Sequence, residues 1–149
     1  AYFTPSGPLT IAARGRLGSI IGTDTLDIAP SRRLYAGGGG SVRGYSFQGL
    51  GPQEIGFDGE RRPTGGRGLT ETSVEARYRF GDFGIVAFVD AGQLVDEPRP
   101  RIDAMRFGAG LGARYFTSFG PIRLEIARAI DKRPEDPDVV LYISIGQAF

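Results

Sequence analysis

The chain has 149 residues, which is enough for one domain, and it contains no cysteine, histidine or tryptophan. The absence of cysteine excludes disulfide bonds, and the absence of both cysteine and histidine argues against a zinc or haem site. A net charge of +1 gives no support for nucleic-acid binding, which favours a strongly basic surface. No apolar run approaches the roughly 18 residues that a spanning helix needs. We expect a mature or truncated chain without a signal peptide.

Apolar and polar residues alternate with a period of two along much of the chain, whereas helical periodicity is nearly absent. In the clearest segment, Phe107 and Leu111 face one way while Arg106 and Gly108 face the other. The pattern predicts six strands, at residues 9–18, 71–80, 83–92, 106–115, 121–128 and 139–149. In the fifth segment it sets three apolar residues against three charged ones: Ile122, Leu124 and Ile126 against Arg123, Glu125 and Arg128.

The predicted connections alternate in length. Gly81-Asp82 and residues 118–121 have the composition of tight turns, while the links at 23–70, 93–104 and 129–138 are long and polar. Short turns on one edge and long loops on the other are typical of an outer-membrane β-barrel, and about ten residues per strand suit a tilted crossing. A soluble antiparallel sandwich also alternates. The membrane interpretation is favoured by charged residues in mid-strand, aromatic residues near strand ends and the terminal Phe149.

Six strands are too few for a closed barrel, because the smallest known barrels have about eight. An open sheet in lipid would leave two edges whose backbone N–H and C=O groups have no partner. We therefore expect an all-β transmembrane antiparallel barrel in which this chain, residues 1–149, is the C-terminal part. The alternative is that copies of the chain pair edge to edge.

The long link contains the least regular stretch of the sequence, residues 33–52. Four consecutive glycines, Gly37 to Gly40, make a regular strand or helix there unfavourable, because glycine loses the most backbone entropy on folding. The segment Val42-Arg43-Gly44-Tyr45 follows, with one cation between two residues that can pack. A loop of this length is usually functional or disordered.

This loop resembles the Val-Arg-Gly-Phe/Tyr motif of the outer-membrane assembly barrels, the bacterial surface antigen superfamily that includes the BamA and TamA types and the two-partner secretion pores. Further matches follow in order: Ser73-Val74-Glu75 resembles the next strand with its inward Glu, and residues 88–92 resemble a Phe-x-Asp-x-Gly motif. Residues 108–125 resemble a glycine-rich strand, a Gly-Pro turn and the following strand, and residues 141–149 resemble the closing strand. Tyr45, the glycine run and the ending at 147–149 are most similar to TamA.

The resemblance implies a barrel of about sixteen strands, of which this chain supplies the last six. It implies that the long loop folds back into the barrel lumen and that Val42, Arg43, Gly44 and Tyr45 anchor it. The closing strand would carry the signal that the family's assembly machinery reads, with Tyr142, Gly146 and Phe149 as its residues.

Physical reasoning assigns partners to Arg43. A loop inside a wide barrel must be held against its own entropy, and a guanidinium can form a bidentate pair with a carboxylate of the wall. Glu75 and Asp90 lie on the polar faces of two predicted strands joined by a tight turn, so they are neighbours. We predict that Arg43 pairs with Glu75, Asp90 or both, and the resemblance indicates the same positions.

Other interpretations of these residues remain open from the sequence. Arg43 could be a solvated loop residue, and Glu75 with Asp90 could be a catalytic carboxylate pair. The glycine run could cradle a phosphate, but Ser41-Val42-Arg43 follows it where a P-loop has Gly-Lys-Ser/Thr and a helix. The stripe at Gly108, Gly110 and Gly112 could make room for the loop or could give the sheet strong curvature.

The predicted function is non-enzymatic assembly or translocation of β-barrel or autotransporter proteins in the bacterial outer membrane. We predict no catalytic residue, no cofactor, no metal and no nucleic acid. The expected partners are unfolded outer-membrane or autotransporter proteins, lipid, N-terminal barrel strands with POTRA domains or further copies of the chain, and an inner-membrane TamB-like protein. The alternative is a two-partner secretion or passive outer-membrane pore.

Overall fold

The computed structural model describes residues 1–146, and its regular secondary structure is almost entirely β-strand. Two single turns of 3-10 helix, Thr25–Asp27 and Pro30–Arg32, lie in the long connection. None of the helices in the described residues is long and apolar enough to cross a membrane. The strands are β1 (Tyr2–Ser6), β2 (Leu9–Ser19), β3 (Gln53–Ile55), β4 (Arg61–Pro63), β5 (Gly68–Phe80), β6 (Phe83–Val95), β7 (Arg106–Thr117), β8 (Gly120–Ala129) and β9 (Val140–Ile145).

Seven of these strands form one antiparallel sheet in the order β1-β2-β5-β6-β7-β8-β9, and β3 pairs with β4 in a separate hairpin. Each strand of the sheet is therefore hydrogen-bonded to its neighbour in the chain, apart from the β3–β4 insertion. Tight turns join β1 to β2, β5 to β6 and β7 to β8 at one end of the sheet. The long connections, residues 20–67, 96–105 and 130–139, lie at the other end. The predicted all-β antiparallel architecture is confirmed.

The predicted number of six strands is wrong, because β1 adds a seventh strand to the main sheet. Its five residues are all exposed and include Pro5, so neither alternation nor composition marks them as a strand. Proline is tolerated there because an edge strand has one side without a ladder partner. β1 pairs with β2 through Tyr2 opposite Ala12 and Phe3 opposite Ile11, with an irregularity before the turn.

Strand ends also differ from the prediction. β5 begins at Gly68 and β2 ends at Ser19, so the long connection comprises residues 20–67 instead of 23–70. β6 continues to Val95, three residues beyond the predicted end. The final strand ends at Ile145, and residues 147–149, including the predicted terminal aromatic Phe149, lie outside the described residues.

The sheet has an apolar exposed face and a polar buried face, the reverse of a soluble protein. Leu111 and Ile143 on the outer face are 60% and 71% exposed, whereas Glu75 and Asp90 on the inner face are fully buried. Such a sheet is stable where its outer face contacts lipid and its inner face lines a polar lumen.

Aromatic side chains of the outer face collect at the end of the sheet that carries the tight turns. Phe83 lies 6.3 Å from Phe80 and 4.9 Å from Tyr115 between ring centroids, and Tyr78 lies 6.4 Å from Phe80. Aromatic rings of this kind are enriched where a barrel crosses the membrane–water interface. Their position therefore marks one boundary of the apolar outer band.

One residue of the fifth predicted strand was placed on the wrong face. Arg123 and Glu125 face inward, but Arg128 is an even-numbered residue like Ile126 and is exposed on the outer face. The strand has no bulge there, since its register with β7 is continuous from Arg123 to Arg128. Regular alternation therefore requires the outward position.

Candidate functional site

The long connection folds back over the inner face of the sheet, and two isolated bridges within it, Leu34 to Gly66 and Ala36 to Leu50, join its own segments. Its tight turn begins at Gly37 and Gly38, whose φ angles of 105° and 102° suit glycine. The segment packs with three sheet residues in one small apolar cluster: Ala36, Val42, Tyr45 and Leu50 with Leu69, Leu94 and Ala129. This cluster holds the backbone on either side of Arg43 against the wall.

Arg43 is 4% exposed and donates hydrogen bonds to three carboxylates. Its Nε and Nη2 bind the two oxygens of Asp90 at 2.7 and 2.8 Å, a bidentate pair. Its Nη1 donates to Glu75 Oε1 at 2.7 Å and to Glu125 Oε2 at 3.1 Å. Its backbone N–H also donates to Asp90 Oδ2 at 3.0 Å. The structure thus brings Arg43 together with Glu75 and Asp90, and adds Glu125.

The Arg43 network, defined as Arg43, Arg77 and Arg114 with Glu75, Asp90 and Glu125, has equal numbers of positive and negative side chains. Glu75 Oε2 accepts from Arg77 Nε at 2.8 Å and from Arg114 Nη2 at 2.9 Å. Asp90 has no cation besides Arg43 among the described residues, and its Oδ1 accepts from Ser73 Oγ at 2.6 Å. Breaking a buried ion pair leaves an uncompensated charge, which costs about 3–5 kcal/mol. The network is therefore sensitive to the loss of any one member.

Phe88 supplies the surface under the guanidinium. The Arg43 Cζ atom lies 3.4 Å from the centroid of the Phe88 ring, and Phe88 is 3% exposed. A cation over an aromatic face is attracted by the ring quadrupole, more strongly when both are desolvated. Phe88 therefore packs under the buried guanidinium and supports it from the wall.

Glycines allow the loop to touch the wall. Gly44 has φ 97°, and a Cβ atom on it would lie 2.5 Å from the backbone carbon of Arg128 in β8. A Cβ on Gly108 would overlap the carbonyl oxygen of Arg43. The other two glycines of the stripe serve the wall itself, because a Cβ on Gly110 would meet the Phe88 ring and one on Gly112 the Glu125 side chain. Of this stripe, Gly108 makes room for the loop.

Val42 and Tyr45 flank Arg43 and are both fully buried. A Cβ on Gly92 of β6 would come within 2.6 Å of Val42 Cγ2, so Val42 packs directly on that glycine. Tyr45 donates its hydroxyl to the carbonyl of Phe107 at 3.1 Å. All four residues of the predicted anchor thus contact the wall.

Tyr142 of β9 faces inward and contacts the loop. Its hydroxyl accepts from the Gly44 N–H at 3.1 Å and donates to the Tyr45 carbonyl at 3.3 Å. Gly146, another residue of the predicted assembly signal, follows β9 with φ 108° and donates its N–H to the Pro121 carbonyl at 2.8 Å. Tyr142 therefore ties the last described strand to the anchored segment.

A second set of contacts holds the loop on the β2–β5 side. Ser41 donates its hydroxyl to Glu71 Oε1 and accepts from the Gly37 N–H. Arg14 Nη1 and Nη2 donate to the carbonyls of Gly40 and Ser41, both at 3.3 Å. Arg16 lies 3.4 Å from Glu71 Oε2. These residues hold the glycine turn, which precedes Arg43 in the chain, against the β2–β5 part of the wall.

The connection between β8 and β9 contacts the same loop from the β8–β9 side of the sheet. Arg133 donates to the Gly49 carbonyl and to both oxygens of Asp136. Glu135 lies 3.6 Å from Arg61 of the β3–β4 hairpin. Two long connections are thus joined by contacts between charged side chains.

Sequence reasoning did not single out Glu125, Ser73 or Phe88 as part of this site. A signal for Phe88 existed, since a large aromatic residue at an inner-face position of β6 needs something to pack against. The inner position of Glu125 followed from alternation. Its distance from Glu75 was not predictable, because it depends on the register of the two intervening strands, β6 and β7.

The arrangement is suited to holding a segment in place. The described residues contain no cluster of His, Cys, Asp and Glu arranged to hold a metal ion. Glu75 and Asp90 are fully buried and bound by guanidinium groups, which leaves them no access to a substrate proton. Their geometry disfavours the catalytic interpretation.

The chain is similar in sequence and in structure to known outer-membrane proteins. A family model described as the Omp85 superfamily domain matches residues 1–149. The outer membrane protein assembly factor BamA of Neisseria meningitidis serogroup B is 24% identical over 99% of this chain and 23% of its own length. The crystal structure of BamA from Haemophilus ducreyi lacking POTRA domains 1–3 matches with a TM-score of 0.72 at 21% identity. That match covers 95% of this chain and 32% of the BamA chain.

Proposed function

The chain belongs to the Omp85 superfamily of outer-membrane proteins, and we propose that it is part of a larger barrel that assists insertion of unfolded proteins into the bacterial outer membrane. Its predicted resemblance to the BamA- and TamA-type barrels is confirmed at the level of the family, and so is its outer-membrane location. The chain spans about a quarter of the curated relative it matches, so the activity proposed here is that of the whole protein.

The observation that carries the proposal is the docking of Arg43 into its buried network. Three carboxylates fix a long segment against the inner wall, which makes the wall beside it rigid. An insertion factor needs a rigid wall beside a strand edge, because the incoming strand must find backbone partners as it leaves water. In our proposal Val42, Arg43, Gly44 and Tyr45 keep this wall rigid.

The edge of β9 is the place where such a strand edge exists in this chain. β9 pairs with β8 on one side and with no described strand on the other. In lipid these backbone groups require a partner, which we assign to N-terminal strands of the same barrel and, during insertion, to a substrate strand. Tyr142, Gly146 and Phe149 would form the signal by which this barrel is itself assembled.

Catalysis in the enzymatic sense has no part in the proposal. The barrel would lower the barrier to insertion by offering a strand template and by thinning the membrane beside it. The upstream POTRA domains would deliver unfolded outer-membrane or autotransporter proteins. Assignment to the TamA type, with an inner-membrane TamB-like partner, depends on the number of POTRA domains and stays a prediction.

The proposal is tested with the full-length protein in proteoliposomes, supplied with an unfolded outer-membrane barrel protein. We expect faster folding than in empty liposomes, seen as heat-modifiable migration on gels, and slower folding with Arg43→Ala. Arg32→Ala is the control, because Arg32 is an exposed residue of the same connection. If the protein conducts small solutes but gives no acceleration over empty liposomes, the pore alternative is correct.

A further inference from the structure

A cation lies on the lipid-facing side of β8. Arg128 is the last outward-facing residue of that strand and stands opposite Ala109 of β7, which in turn stands opposite Val89 of β6. Its neighbours along the chain on the same face, Ile126 and Ile130, are 49% and 60% exposed apolar residues. Arg128 is thus set into the apolar outer band at the end that carries the long connections.

Arg128 has no direct side-chain partner among the described residues. Its guanidinium makes no hydrogen bond and no ion pair with any of residues 1–146. Asp138 is near enough for Arg128 to help lower its pKa, after the larger effect of a hydrogen bond from Lys132. That hydrogen bond joins Lys132 Nζ to Asp138 Oδ1 at 2.5 Å, so this carboxylate is already paired. A guanidinium beside hydrocarbon needs an anion, water or a route to the interface.

A groove lies directly beside Arg128. It has a volume of about 190 Å³ and is lined by the apolar atoms of Ala109, Leu111, Ile126 and Val139, with Arg128 at its edge. It exists because Ala109 is small, while Leu111 and Ile126 form the next outward pair toward the tight turns. The volume is below the roughly 300 Å³ of pockets that enclose a whole small molecule, so it suits one segment of a chain.

We propose that this groove and Arg128 form a binding site for a phosphate-bearing acyl lipid of the membrane leaflet beside the long connections. An acyl chain lies in the groove over Ala109, and the phosphate accepts a bidentate hydrogen bond from the Arg128 guanidinium. The two parts suit this one ligand, because the groove is apolar where hydrocarbon is expected and the cation stands at the strand end, where head groups begin. The site would fix one lipid over β7 and β8, next to the edge strand β9.

The test uses the full-length protein in detergent with phosphatidylglycerol as the probe, and native mass spectrometry to count bound lipid. We expect Arg128→Gln to weaken binding about tenfold, the value of one charge-assisted interaction. Ala109→Leu fills the groove and should weaken binding similarly while leaving the charge unchanged. Arg32→Gln removes the same charge from an exposed position elsewhere and should bind as the parent does.

Two further probes separate the parts of the ligand. Diacylglycerol has the chains without the phosphate and should bind at least about tenfold more weakly. Inorganic phosphate should not displace the phospholipid at comparable concentration. The proposal is overturned if Arg128→Gln binds as the parent does, if Arg32→Gln loses as much, if diacylglycerol binds equally well, or if phosphate alone competes. The readout is lipid binding, so it stands apart from the assembly activity proposed above.

Discussion

Replacing Arg43 by alanine is expected to release the long connection from the wall. The substitution removes five side-chain hydrogen bonds and leaves two cations facing three carboxylates. Asp90 is affected most, because it is fully buried and would have no ion-pair partner left among the described residues. The docked state should lose about 3–5 kcal/mol, the cost of orphaning a buried charge. Opening of the loop should then become about a hundred to several thousand times more frequent.

Hydrogen exchange of the full-length protein in lipid measures this directly. The amides of Arg43 and Gly44 are protected by Asp90 Oδ2 and the Tyr142 hydroxyl, so their exchange reports loop opening. The double variant Arg43→Ala with Asp90→Asn removes the orphaned charge and should regain part of the protection. Exchange of both amides within about twofold of the parent in Arg43→Ala would refute the reasoning.

Three smaller changes test other contacts of the same loop. Gly108→Ala should destabilise the docked loop by about 1–3 kcal/mol or more in urea unfolding, because the added methyl group would overlap the carbonyl oxygen of Arg43. The control is Gly15→Ala, which has open space for the methyl group and should leave the stability unchanged. Ser41→Ala should lower the free energy of unfolding by about 1–2 kcal/mol, because it removes the hydrogen bond to Glu71. An unchanged midpoint in the same urea unfolding would contradict this. Arg133→Ala should raise amide hydrogen exchange in residues 46–49 while leaving the amide of Arg43 protected. Equal loss of protection at both places would show that the Arg133 and Arg43 contacts do not act separately.

The main sheet followed from the sequence because alternation and turn composition are local signals. β7 was placed within two residues of its ends, and β5 and β6 within three. β1 was missed because Tyr2–Ser6 is short, exposed on both faces and contains a proline. Arg128 was assigned to the inner face because it is charged, although the alternation of the strand places it on the outer face with Ile126. This error hid a cation on the lipid-facing side.

The site was partly predictable for the same reason. Glu75 and Asp90 lie on strands joined by a two-residue turn, so their proximity is nearly a local property. Glu125 lies two strands further along, and only the register of β7 with β8 brings it to Arg43. The contacts of Ser41 and Arg133 join segments far apart in sequence through irregular backbone, where no periodicity applies.

The most direct test of the docked loop is cross-linking of Ser41→Cys to Glu71→Cys by a short bifunctional thiol reagent, since these side chains touch and residues 1–149 contain no cysteine. In the full-length protein in intact membranes, we predict rapid cross-linking of this pair and much slower cross-linking when Arg43→Ala is added. Phe57→Cys with Glu71→Cys is the control, because Phe57 is exposed at the β3–β4 turn. If a folded protein fails to form the Ser41–Glu71 link, or forms it no faster than the control pair, the loop is not held on the wall.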